Sequence, residues 1–129
     1  MNVVDSSGWV EYFTKGSNAK FFIAPIQDVE NLVVPSICIY EVFKRLMLDL
    51  GEENALQAVG IMSYGRLLEL NRKIAMDAAH ISLELKLAMA DSIILATARE
   101  YDAMLWSQDA HFKGMAGVKY IEKSEGRHP

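Results

Sequence analysis

Four carboxylates stand where a fold could gather them. Asp5 closes the apolar run Asn2-Val3-Val4. Asp109 follows a second apolar run, in Ser107-Gln108-Asp109. Asp91 opens the predicted helix before that run. Glu41 lies inside a predicted helix, between Tyr40 and Val42. Carboxylates held close repel one another and raise each other's pKa. A cation removes the conflict, and oxygen donors suit hard Mg²⁺ or Mn²⁺ rather than thiolate-seeking metals. An ion held this way can activate a water and stabilise charge on a phosphodiester during in-line displacement. The chemistry open to such a set is phosphodiester hydrolysis.

Singly, each acid fits a plainer role. Asp5 suits a turn or an N-cap ahead of Ser6. Glu41 can pair with Lys44 or Arg45 along its helix. Asp91 can cap its helix, and Asp109 can cap the short segment holding His111 and Phe112. What matters is whether the fold brings the four together.

The elements that would do so alternate between short β-rich runs and longer helical patterns. Strands are expected at Asn2–Asp5, Asn31–Pro35, Arg66–Leu70, Ala103–Trp106 and Val118–Ile121. A helix carrying Trp9, Val10, Tyr12 and Phe13 follows the first, with Ser6 or Ser7 as a candidate cap. A second spans about Ala19 to Asp28, where Pro25 should kink or end it. Ser36 reads as the N-cap of a helix from Ile37 to Leu50, stopped by Gly51. Further helices are expected at Glu52–Met62, Arg72–Leu87 and Asp91–Tyr101. Strands separated by helices of this length pair in parallel. The expected fold is a three-layer α/β/α arrangement with a central parallel sheet of about five strands. In such sheets ligands bind beyond the carboxyl ends of the strands, where the strand order reverses.

The 129 residues make one domain, expected over 1–123, with a frayed tail at 124–129. Hydrophobic residues make up 51% and charged residues 23%, a globular composition. Seventeen acids against thirteen Lys and Arg give a net charge of −4, which argues against binding nucleic acid by bulk charge. Cys38 is the sole cysteine, so neither an internal disulfide nor a cysteine-based zinc site is available. The N-terminus lacks the basic and small-residue features of a secretory signal. No apolar run reaches about 18 residues, so no membrane span is expected. The expected location is the cytoplasm.

The resemblance is carried by VVDSSGWVEYF at Val3–Phe13, SICIYEVFKRL at Ser36–Leu46, ADSIILATAREYD at Ala90–Asp102 and LWSQDAHF at Leu105–Phe112. With these segments the chain resembles the PIN-domain family, and within it the short VapC-type ribonuclease toxins. The third segment is the most specific. The resemblance implies metal-binding acids at Asp5, Glu41, Asp91 and Asp109, a supporting hydroxyl at Ser107 and another at Ser6. It implies RNA cleavage dependent on Mg²⁺ or Mn²⁺, a homodimer, and inhibition by a cognate antitoxin. Two departures stand out. ELKLAMAD, before Asp91, lacks a glycine turn. No fifth acid follows Asp91, because Ser92, Ile93, Ile94 and Leu95 occupy those places.

RNA reaching an acidic pocket needs local bases. Lys15, Lys44, Arg45 and Lys113 are candidates, alongside Lys20, Lys86 and Arg99, with Lys44 and Arg45 within a helical turn of Glu41. Trp9, Tyr12 and Phe13 could stack bases, although their spacing beside a strand suits core or dimer contact better. His80, three residues after Asp77, suits a salt bridge. His111, two residues after Asp109, could support the site from behind. His128 falls in the tail. Two other readings compete with the nuclease. One is a catalytically silent PIN module that binds a protein or RNA. The more remote one is a phospho-receiver domain, which needs paired acids after the first strand and an Asp after the third.

Overall fold

The structure is a computed structural model, and it describes residues 1–124. The tail expected at 124–129 lies outside the described residues from 125 onward, and so does His128. Five strands form one sheet: β1 (Asn2–Val4), β2 (Leu32–Pro35), β3 (Arg66–Leu68), β4 (Met104–Ser107) and β5 (Val118–Tyr120). Their order is β3-β2-β1-β4-β5, and every pair is parallel. Val3 and Val4 are both fully buried. Successive strand residues point to opposite faces, so both faces of the sheet are covered. The expected three layers are present.

Six helices supply the cover: α1 (Ser6–Phe13), α2 (Ala19–Gln27), α3 (Ser36–Leu50), α4 (Glu52–Met62), α5 (Arg72–Leu85) and α6 (Met89–Glu100). α3 packs on α4 and α5 on α6, while α1 contacts α2 and α3. α6 is buried on all sides from Ser92 to Ala98 and touches β1, β2 and β4. Its small residues let it lie close to the sheet.

Several local expectations are corrected. Asp5 is not the last strand residue but the N-cap of α1, accepting a hydrogen bond from the Gly8 amide, so neither Ser6 nor Ser7 is the cap. Pro35 rather than Ser36 occupies the N-cap of α3, because β2 runs straight into the helix with no loop between them. Asp91 does not open α6. The helix starts at Met89 and puts Asp91 in its first turn, where the helix dipole favours an anion. α5 stops at Leu85, with Lys86 in the left-handed region at φ 57°. Pro25 is accommodated inside α2, which ends two residues later.

The strand order settles one alternative. From β1 the chain builds outward through β2 to β3, then crosses back to place β4 on the other side of β1. The reversal point therefore lies between β1 and β4. A receiver-type sheet has the order 2-1-3-4-5, which this chain does not adopt. The receiver reading is wrong.

Candidate functional site

A cleft of about 460 Å³ opens beyond the carboxyl ends of β1 and β4. Asp5, Glu41, Asp91 and Asp109 all line it, as do Ser6, Ser7, Glu11, Arg45, Gln108 and Lys123. Another hollow, about 390 Å³ over α5 and α6, is lined by Lys73, Asp77 and Glu100, where Lys73 bridges to Asp77 at 2.8 Å and to Glu100 at 2.7 Å. Asp77 therefore pairs with Lys73 and not with His80.

Asp5 sits deepest, 2% exposed. Its amide extends the β1–β4 ladder by donating to the Trp106 carbonyl at 3.1 Å. One carboxylate oxygen accepts from Ser7 Oγ at 2.8 Å and Gly8 N at 3.1 Å. The other accepts from Ser107 Oγ at 2.7 Å. Burial still outweighs these donors and pushes the Asp5 pKa up to about 6, with the Asp109 charge adding to the rise.

Ser107 joins the two strand ends. Its hydroxyl donates to Asp5 and accepts from the Asp109 amide at 2.8 Å. Asp109 also caps a 3-10 turn (Ala110–Phe112), accepting from the His111 amide at 2.9 Å. The fully buried Phe112 anchors that turn. Asp91 reaches in from α6. Partial burial raises its pKa, the Asp109 charge raises it further, and His111 opposes both. The His111 ring nitrogen Nδ1 lies 3.2 Å from both Asp91 Oδ2 and Asp109 Oδ1.

Glu41 enters from α3. One turn earlier, Cys38 is buried with its thiol 3.8 Å from the Val4 carbonyl, which seats the helix under the end of β1. Glu41 then accepts from Ser6 Oγ at 2.6 Å. It does not pair with Lys44 or Arg45. Arg45 bridges to Asp49 at 2.9 Å, and Lys44 lies over the Tyr40 ring.

Of the candidate bases only Arg45 lines the cleft. Lys15 follows α1 at φ 57°, and Lys113 pairs with Glu122 at 3.3 Å. Trp9 is not available to stack bases, because it is fully buried and stacks on Phe13. Cleft residues not singled out from the sequence include Glu11, Gln108 and Lys123, together with Thr14 and Asp49. Glu11 accepts from the Asn18 amide at 2.7 Å and from Gln108 Nε2 at 3.2 Å. Gln108 in turn accepts from Asn18 Nδ2 at 3.0 Å. This network ties the α1–α2 loop to the turn that carries Asp109. Glu11 has its oxygens engaged and belongs to the cleft's wall.

The donors suit a divalent cation. Asp91, Asp109 and His111 each offer one ligand atom, and these atoms lie within 4.8 Å of one another.

The PIN domain family model matches residues 3–118, and the chain belongs to that family. No curated protein matches it in sequence. Solved structures share its fold. A chain of a toxin–antitoxin complex from Klebsiella pneumoniae superposes with a TM-score of 0.77 at 22% identity, over 92% of this chain and 96% of that one. VapC20 from Mycobacterium tuberculosis, a sarcin–ricin loop cleaving toxin, gives 0.75 at 16%, over 92% and 99%. FitAcB from Neisseria gonorrhoeae gives 0.71 at 18%, over 95% and 97%.

Proposed function

We propose that the chain is a metal-dependent endoribonuclease of the VapC type, the toxin of a type II toxin–antitoxin pair. One observation carries the reading. Four acids from distant parts of the sequence line a single cleft at the sheet's reversal point. In this reading Asp5, Asp91 and Asp109 hold Mg²⁺ or Mn²⁺, with Glu41 either completing the set or orienting the attacking water. The ion, when bound, supplies a more acidic water and charge stabilisation at the phosphate. Ser107 holds Asp5 in place and Ser6 holds Glu41. Arg45 and Lys123, on the cleft's wall, receive the flanking phosphates.

An antitoxin is the proposed protein partner. Solved relatives of the same fold were captured in toxin–antitoxin complexes. Tyr40, Leu48, Leu56 and Tyr64 are large exposed side chains on α3, on α4 and just beyond it, available to such a partner. A homodimer and a cytoplasmic location complete the proposal. Among the described residues, no helix is long and apolar enough to cross a membrane.

The test is cleavage of purified tRNA and total RNA with Mg²⁺ or Mn²⁺, with and without EDTA, beside Asp91→Asn. The expected result is cleavage that EDTA stops and that Asp91→Asn lowers at least about 100-fold, because Asp91 helps hold the ion that activates the water and stabilises charge at the phosphate. Cleavage that survives both treatments defeats the assignment. A folded wild type that binds the ions yet cuts no RNA favours the silent module.

A further inference from the structure

We infer that His111 is a nitrogen ligand to the ion held by Asp91 and Asp109, and that it biases the site toward Mn²⁺ over Mg²⁺. The inference rests on the nuclease reading above and goes beyond its all-oxygen ligand set. It starts from the local chain. Asp109 caps the 3-10 turn through the His111 amide, and Phe112 is locked in the core. Between these two fixed points the imidazole turns back over the acids.

Its Nδ1 lies 3.2 Å from Asp91 Oδ2 and 3.2 Å from Asp109 Oδ1. Adjacent ligands of one octahedral ion, bonded at about 2.1 Å, stand about 3.0 Å apart. The two separations therefore match the edges of a single coordination sphere, and the three donors converge from two different elements, α6 and the turn after β4. The ring is 67% exposed, so an ion can enter from solvent without unfolding anything. As a ligand, Nδ1 offers its lone pair and the ring carries its proton on Nε2.

Carboxylates alone serve Mg²⁺ well. Adding an imidazole favours transition ions, which bind nitrogen more readily. An imidazolium that merely bridges two acids would show the same two distances, so the experiment must detect the metal–nitrogen bond itself.

The full-length protein is loaded with Mn²⁺ and probed by electron spin-echo envelope modulation, alongside His111→Ala and His111→Gln. The glutamine keeps a hydrogen-bonding group without a ring nitrogen. The expected result is ¹⁴N modulation in the wild type that both variants lose. Mn²⁺ affinity falls at least about tenfold in the variants while Mg²⁺ affinity changes about twofold or less. Thermal melts of the ion-free proteins, which check that the variants fold, stay together. Bound Mn²⁺ without nitrogen modulation, or unchanged Mn²⁺ affinity in His111→Ala, overturns the inference. If that wild type still cuts RNA with metal, the nuclease reading survives it. If the wild type binds no Mn²⁺ at all, the inference falls, and the nuclease reading is then decided by cleavage with Mg²⁺.

Discussion

Asp5 does two jobs with one carboxylate. As an N-cap it satisfies the Gly8 amide, and as a buried acid at the cleft floor it is a metal ligand in the proposed nuclease. From sequence these looked like rival explanations. The structure shows they are compatible, because capping uses only one of several lone pairs. Its raised pKa has a direct consequence for stability. In the unfolded chain Asp5 ionises near 3.8, and in the ion-free fold near 6. The protonated form is thus favoured by folding, and the associated stability is lost as pH rises from about 4 to about 6, by up to about 3 kcal/mol. Asparagine keeps the cap and cannot ionise. Melting of Asp5→Asn against wild type, without metal, should show a stability advantage that grows across that interval and then levels off. Excess Mn²⁺ should shrink it. An advantage that is flat with pH would contradict the electrostatic cause. At this scale the acids were legible because carboxylates beside apolar runs are conspicuous. Gln108 and Glu11 were not, since their meeting joins positions 97 residues apart and neither type announces a partner.

Among the elements, α1 links stability to the site. A Cβ added at Gly8 would lie 2.6 Å from the Phe22 ring and 2.8 Å from a Val4 methyl. Both neighbours are fully buried and cannot move aside cheaply. Alanine normally favours a helix over glycine by about 1 kcal/mol. Here Gly8→Ala should instead destabilise by about 1–3 kcal/mol in denaturant melts, and it should weaken Mn²⁺ binding, because the Gly8 amide orients Asp5. Stabilisation would show that α1 can shift away from α2. Element type and order were readable from periodicity. The ends were less so, and for local reasons: β2 enters α3 with no loop, and α6 begins at Met89, two residues before Asp91, after an Ala88 that offers no side-chain cap. Strand order was not readable either, since it depends on pairing between segments that the sequence keeps apart.

The molecule as a whole carries a net charge of −4, and only two cations, Arg45 and Lys123, line the cleft among the described residues. For single-stranded nucleic acid the logarithm of affinity falls with the logarithm of salt by about 0.7 for each phosphate neutralised. With two contacts, RNA binding to an Asp91→Asn variant should show a slope of about −1.4. A slope steeper than about −4 would mean that a broader basic surface is at work.

The bond from Ser107 to Asp5 spans 102 positions, and β4 lies beside the first strand. During synthesis Asp5, Glu41 and Asp91 all leave the ribosome before the strand that completes the cleft. A nascent chain that holds three of its four acids still has no floor joining them. For a protein proposed to cut RNA, this ordering is a delay in time: the four acids meet in one cleft only when nearly all of the fold has emerged.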